Sequence, residues 1–181
     1  MAITPGTHKV GPNGSTLNVN TYRDGVAAKI GHDLLIEVTK WEATVDVGPD
    51  GALNSVTLNA DPSSLEVRSG QGGAKPLSDK DRADIRKSIN DKVLGSDPIT
   101  FQSSAASVDG SGSMHVEGEL AIAGKSRPAA FDLTAGADGA VAGTIGLTQS
   151  DFGIKPYKGM MGALKVKDDV EIVLVAQLPT S

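Results

Sequence analysis

Apolar and polar residues alternate along most of this chain, the pattern of half-buried strands that turn every second side chain into a core. The clearest run is Met114-Val116-Gly118-Leu120-Ile122, interleaved with His115, Glu117 and Glu119. Leu17-Val19-Thr21, Val56-Leu58-Ala60, Leu65-Val67, Ala129-Phe131-Leu133, Val141-Gly143-Ile145-Leu147 and Val170-Ile172-Leu174-Ala176-Leu178 repeat it. With the segment considered next, these predict about nine strands.

Between Leu34 and Val47 the phase of the alternation flips. Leu34, Ile36 and Val38 share one parity, whereas Trp41, Ala43, Val45 and Val47 share the other. A bulge or sharp bend near Thr39-Lys40 would return the apolar set to one face and let a sheet coil; two separate strands explain the flip equally well. Turn chemistry at Gly11-Pro12-Asn13-Gly14, Gly48-Pro49-Asp50-Gly51, Asp109-Gly110-Ser111-Gly112 and Ala137-Asp138-Gly139 joins neighbouring antiparallel strands. One stretch departs from this rhythm. Ser78 is a good N-cap, Asp79 and Asp81 fall in the first turn, Ile85, Ile89 and Val93 recur four apart, and Gly95 follows as a stop. A helix over about 78–94 is predicted, lying across one end or side of a closed or nearly closed barrel. A second, shorter helical turn is expected around Val26–Ile30.

The chain has 181 residues, which suits one domain spanning 1–181. Its 22 glycines and nine prolines fit many short strands joined by turns. A formal net charge of -5 with no basic run argues against a nucleic-acid partner, which needs a dense cationic face. With no cysteine there is no disulfide, thiolate nucleophile or cysteine metal site. No stretch approaches the 18 apolar residues of a membrane-spanning helix, and the N-terminus lacks the basic and apolar regions of an export signal. A cytoplasmic protein is therefore expected, with a periplasmic or secreted one as the alternative.

Little in the sequence carries catalytic chemistry. His8, His32 and His115 have no metal-ligand spacing. His32 and Asp33 are adjacent, so on a strand they face opposite sides and make a poor dyad. Gly124-Lys125-Ser126 has the look of the end of a phosphate loop. However, Glu119 stands where that motif needs its first glycine and a strand follows instead of a helix, so a hairpin turn is the better reading. No nucleophile-elbow sequence occurs, and Asp79, Asp81 and Asp84 read as solvated charge. No metal and no cofactor are called for.

Four patches, taken in order, resemble the YceI-like family. They are Gly31-His32-Asp33-Leu34-Leu35-Ile36; Asp84-Ile85-Arg86 through Pro98-Ile99-Thr100-Phe101-Gln102-Ser103; Gly118-Glu119-Leu120-Ala121-Ile122-Ala123-Gly124-Lys125-Ser126-Arg127-Pro128; and Ser150-Asp151-Phe152-Gly153-Ile154. The resemblance implies an all-β fold, an antiparallel lipocalin-like β-barrel of about eight strands with one inserted α-helix. It also implies binding of polyisoprenoid chains.

The expected function is non-catalytic binding, storage or transport of an apolar isoprenoid lipid, a polyprenyl chain or an isoprenoid quinone tail, inside the barrel. Burying ten carbons contributes roughly 8 kcal/mol and twenty roughly 16, against association costs of about 4–15. Useful affinity therefore needs much of the chain inside. The inward residues expected to line the site are Leu17, Val19, Ile36, Val38, Phe101, Leu120, Ile122, Phe131, Leu133 and Ile145, with Trp41 and Phe152 lining it or closing an end. Each could equally serve as core packing. His32, Lys155 and Tyr157 are candidate polar groups near a mouth, and a second copy of the chain is held open as a partner. Two rivals stand beside this reading: an enzyme acting on an isoprenoid or lipid through His32 and Asp151, and a stress-related interaction domain with a filled core.

Overall fold

A computed structural model describes residues 3–180. In chain order the strands are β1 (Gly6–Val10), β2 (Thr16–Thr21), β3 (Arg23–Asp24), β4 (Asp33–Val38), β5 (Trp41–Val47), β6 (Leu53–Ala60) and β7 (Leu65–Gln71). Helix α1 (Asp79–Ser88) precedes β8 (Ile99–Val108), β9 (Ser113–Ile122), β10 (Lys125–Ala135), β11 (Ala140–Thr148), β12 (Lys158–Gly159), β13 (Leu164–Val166) and β14 (Asp169–Gln177). Eleven strands form one antiparallel ladder in the order β1-β5-β6-β8-β9-β10-β11-β14-β2-β4-β7, and β12-β13-β3 form a second, small sheet.

The bend foreseen at Thr39-Lys40 is what closes the large ladder. β4 lies near one end of the strand order and β5 near the other, yet only two residues separate them in sequence. β5 pairs with β6 while β4 pairs with β7, so these four strands are the two halves of one bent, two-stranded ribbon. Counting that ribbon as two positions, the ring holds eight strands, with β1 added outside on β5. The two readings of the phase flip thus merge: the backbone leaves the ladder at Thr39-Lys40, and Ile36, Val38, Trp41, Ala43, Val45 and Val47 are all buried.

Ser64 fastens the bend. Its backbone carbonyl accepts from the Thr39 N–H at 2.9 Å. Its hydroxyl donates to the Asp61 carbonyl at 2.7 Å and accepts from the Lys40 N–H at 3.1 Å. These bonds satisfy backbone groups that the break in the ladder would otherwise orphan.

The other edge of β7 has no strand partner among the described residues, and α1 packs against it. Arg82 Nη1 donates to the carbonyls of Val67 at 3.1 Å and Arg68 at 2.8 Å, which blunts an edge open to pairing with another chain. The helix begins as its sequence predicts, with Ser78 and Asp81 forming a reciprocal capping box. It does not run regularly to 94. After Ser88 it widens into a π-type turn, Ile89–Leu94, ended by Gly95 at φ 68°. The expected short turn near Val26–Ile30 is a 3-10 turn, Ala28–Ile30.

The phosphate-loop look-alike is indeed a hairpin. Ile122 pairs with Lys125, and Ala123 and Gly124 between them both have positive φ, 50° and 73°, as a tight two-residue turn matched to strand twist requires.

Candidate functional site: an apolar cavity in the barrel

The inward side chains do not meet at the centre. They surround a cavity of about 860 Å³, within the roughly 300–1,000 Å³ common for small-molecule sites. Of the residues singled out from sequence, β2 brings Leu17 and Val19 to its wall, and the bent ribbon brings Ile36, Val38 and Trp41. β8 supplies Phe101, β9 Leu120 and Ile122, β10 Phe131 and Leu133, and β11 Ile145. Phe101 on β8 and Phe131 on β10 meet across the intervening β9, with ring centroids 5.1 Å apart and planes inclined by 55°, a tilted geometry favoured by ring quadrupoles. Room for the Phe101 ring comes from Gly118, where a Cβ would stand 2.6 Å from Phe101 Cζ.

Phe152 is placed elsewhere. It closes the 3-10 turn Gln149–Phe152 and packs with the wall residues Ile122 and Ile154 without itself lining the cavity.

The two ends of the cavity differ. At one, Val10, Leu53, Met114, Val141, Ala176 and Leu178 are all buried and close the floor. At the other, wall residues are also open to solvent: Ile30, Lys75, Tyr157 and Lys165 both line the cavity and are exposed, so this end is the mouth. Ile85 of α1 and Ile89 of the π-type turn after it roof part of it from one side, and the small β12-β13-β3 sheet flanks it from the other. Lys92, just past α1, holds its ammonium 6.0 Å from the Tyr157 ring centre, linking the two flanks.

Among the described residues the charged side chains of the wall gather at this rim, while Trp41 adds a buried indole N–H with no partner. His32 Nε2 lies 2.7 Å from the Lys75 carbonyl. Arg23 Nη1 donates to the Gly31 carbonyl at 2.8 Å, while the Arg23 backbone N–H donates to Asp33 Oδ1 at the same distance. The Ser78 hydroxyl and backbone N–H hold the Asp81 carboxyl below the usual carboxylate range. Lys155 is exposed and off the wall, and Asp151 is likewise absent from it, so His32 and Asp151 do not share the cavity. Among the described residues no group of three or more histidine or carboxylate side chains could hold a metal ion.

Sequence reasoning missed several contributors. Met114 and Val45 belong to runs whose parity was already visible, whereas Leu53 has the opposite parity to Val56, Leu58 and Ala60 and reaches the wall through the register shift between Asp46 and Val47. Ile85 and Ile89 were recognised as the helix stripe but not as part of the wall. Arg23, Lys75 and Lys165 carried no pattern, because the loop and the two- and three-residue strands that bring them to the rim are too short for any periodicity.

The fold and cavity define a class, an antiparallel barrel around an apolar chamber with a polar rim. Within it, the chain belongs to the YceI-like family: the model of the YceI-like domain matches residues 9–178. A crystal structure of Burkholderia cenocepacia BcnA is similar at TM-score 0.65 and 20% identity, covering 90% of this chain and 94% of that one. The YceI protein of Campylobacter jejuni is similar at TM-score 0.51 and 14% identity, over 81% of this chain and 85% of that one. No curated protein matches the sequence. No helix among the described residues is long and apolar enough to cross a membrane.

Proposed function

We propose that the protein binds an isoprenoid lipid non-catalytically, with the chain in the cavity and the head at the rim, and so stores or carries it. The observation that carries this reading is the apolar chamber of about 860 Å³ with charged side chains at its open end. Such a space suits a long hydrocarbon with one polar terminus. The wall itself offers a ligand little to hydrogen-bond, so affinity comes from removing carbon from water, at about 0.8 kcal/mol per methylene. Arg23, His32, Lys75, Tyr157 and Lys165 stand where a head would sit. A filled-core interaction domain fits less well, because a dry core is packed with few voids larger than a water molecule.

Native mass spectrometry of the purified protein, followed by lipid extraction, tests this. A co-purifying or loadable polyprenyl lipid or isoprenoid quinone is the expected result. Repeated failure to load either one, with the fold intact, would sink the carrier reading. Turnover of a bound lipid that is abolished by His32→Ala or Asp151→Ala would favour the enzyme instead.

A further inference from the structure

The rim of the barrel is apolar as well as polar. Met161 and Val26 are almost fully exposed, at 107% and 94%, and Met160, Ile30 and Tyr157 are also exposed. These residues lie on two segments held side by side. β3 pairs with β13, and the Ala27 N–H donates to the Ala163 carbonyl at 2.9 Å. The methionines are presented in an unusual way: Met160 and Met161 both adopt left-handed backbone, φ 48° and 56°, which costs energy for a side chain without local hydrogen bonding.

Charge follows the same border. The chain as a whole is acidic, at -5, yet residues 25–32 and 152–167 contain five lysines and no carboxylate. Lys29, Lys155, Lys158 and Lys165 are exposed, and none forms an ion pair among the described residues. Lys158 stands directly opposite Lys165 in the β12–β13 pair. Like charges so placed repel each other; Asp24, opposite Lys165 on the β3 side, offsets part of this without forming an ion pair, and an anionic neighbour would relieve the rest. Ile30, Tyr157 and Lys165 belong both to this surface and to the cavity wall, so whatever covers the surface also covers the opening.

We propose that this rim docks on an anionic lipid bilayer, with Val26, Met160 and Met161 entering the interface, the lysines facing lipid phosphates and the mouth held against the membrane. Amphipathic surfaces of this kind bind by apolar insertion together with attraction to anionic lipids, and both parts are present here. A bilayer fits better than a second copy of the chain, because an isologous contact would bring this cationic surface against itself. The proposal rests on the lipid-carrier reading for its purpose but not for its test.

The test is flotation of the full-length protein with vesicles of phosphatidylcholine alone or mixed equally with phosphatidylglycerol, none containing isoprenoid. The protein is expected to float with the mixed vesicles, weakly with neutral ones, and less at high salt. Met160→Asp with Met161→Asp, and separately Lys29→Glu with Lys158→Glu, none of them on the cavity wall, should each weaken binding by about tenfold or more. Aspartate tolerates left-handed backbone, so the first pair keeps the fold. Loading of a polyprenol from detergent, measured on the same variants, reports the cavity independently. Variants that load normally but no longer float support docking, whereas a wild-type protein that loads and does not float overturns docking alone. Equal flotation of wild type and variants overturns it too. So does light scattering that shows a dimer which the rim substitutions dissociate.

Discussion

The Ser64 hydroxyl accepts the Lys40 backbone N–H at 3.1 Å from a side chain only 4% exposed. That bond lies at the corner where one half of the barrel's bent ribbon passes into the other. Ser64→Ala removes the acceptor and leaves the Lys40 N–H without its partner, at a cost of about 1–3 kcal/mol. Urea unfolding should show this as a lower midpoint with an unchanged slope, while ligand loading below the transition stays as in the wild type.

Gly118 is a steric requirement, not a conformational one. A Cβ there would press on the Gln102 carbonyl oxygen and stand 2.6 Å from Phe101 Cζ. Gly118→Val should destabilise by about 1–3 kcal/mol, the usual range for overpacking, and push the Phe101 ring into the cavity. Gly146, by contrast, has open space around its missing Cβ. Gly146→Ala serves as the control, and thermal melting of the two variants should separate them clearly.

Filling the chamber separates cavity from scaffold. Ile145 sits half-buried on the wall, in register with Ile172 on β14. Ile145→Trp adds ring volume to the existing void, so the fold is expected to tolerate it while isoprenoid loading drops. Titration of a fluorescent polyene analogue measures the loss of capacity, and circular dichroism confirms the strand content.

His115 lies on the outer wall between two carboxylates, with Nδ1 2.6 Å from Asp132 and Nε2 3.2 Å from Glu117. The hydrogen bond to Asp132 and then that to Glu117 hold its pKa above the ordinary histidine value. Because the folded pKa is the higher one, the stability this contributes is complete below the unfolded pKa and fades as pH rises through the folded one. An NMR titration should place the His115 midpoint above that of the same residue in an Asp132→Asn variant. The unfolding midpoint of the wild type should also fall more than that of the variant across the same pH interval.

Much of this fold was legible because strand burial has a period of exactly two residues. The parity change between Val38 and Trp41 located the corner, and the mismatch at Glu119 correctly turned a phosphate-loop look-alike into a hairpin. The helix start was legible from Ser78 and Asp81, but its widening after Ser88 was not, since Ile85, Ile89 and Val93 keep helical spacing through it. The chamber was only half legible. Alternation says that Leu120 and Phe131 face inward, not whether they meet other atoms there, because that depends on ring size and tilt. Phe152 shows the same limit: its motif was recognised, but a 3-10 turn sends its ring to a different cluster.

The pairing of β2 with β14 sets Val19 opposite Ile172 and Leu17 opposite Leu174, contacts between the first and last parts of the chain. Such distant pairings carry a large loop-closure cost and make folding slow. During synthesis the ring therefore stays open until β14 has left the ribosome. Until then the nascent protein shows its greasy lumen face to the surroundings, and truncation within the last strand would leave a trough instead of a vessel.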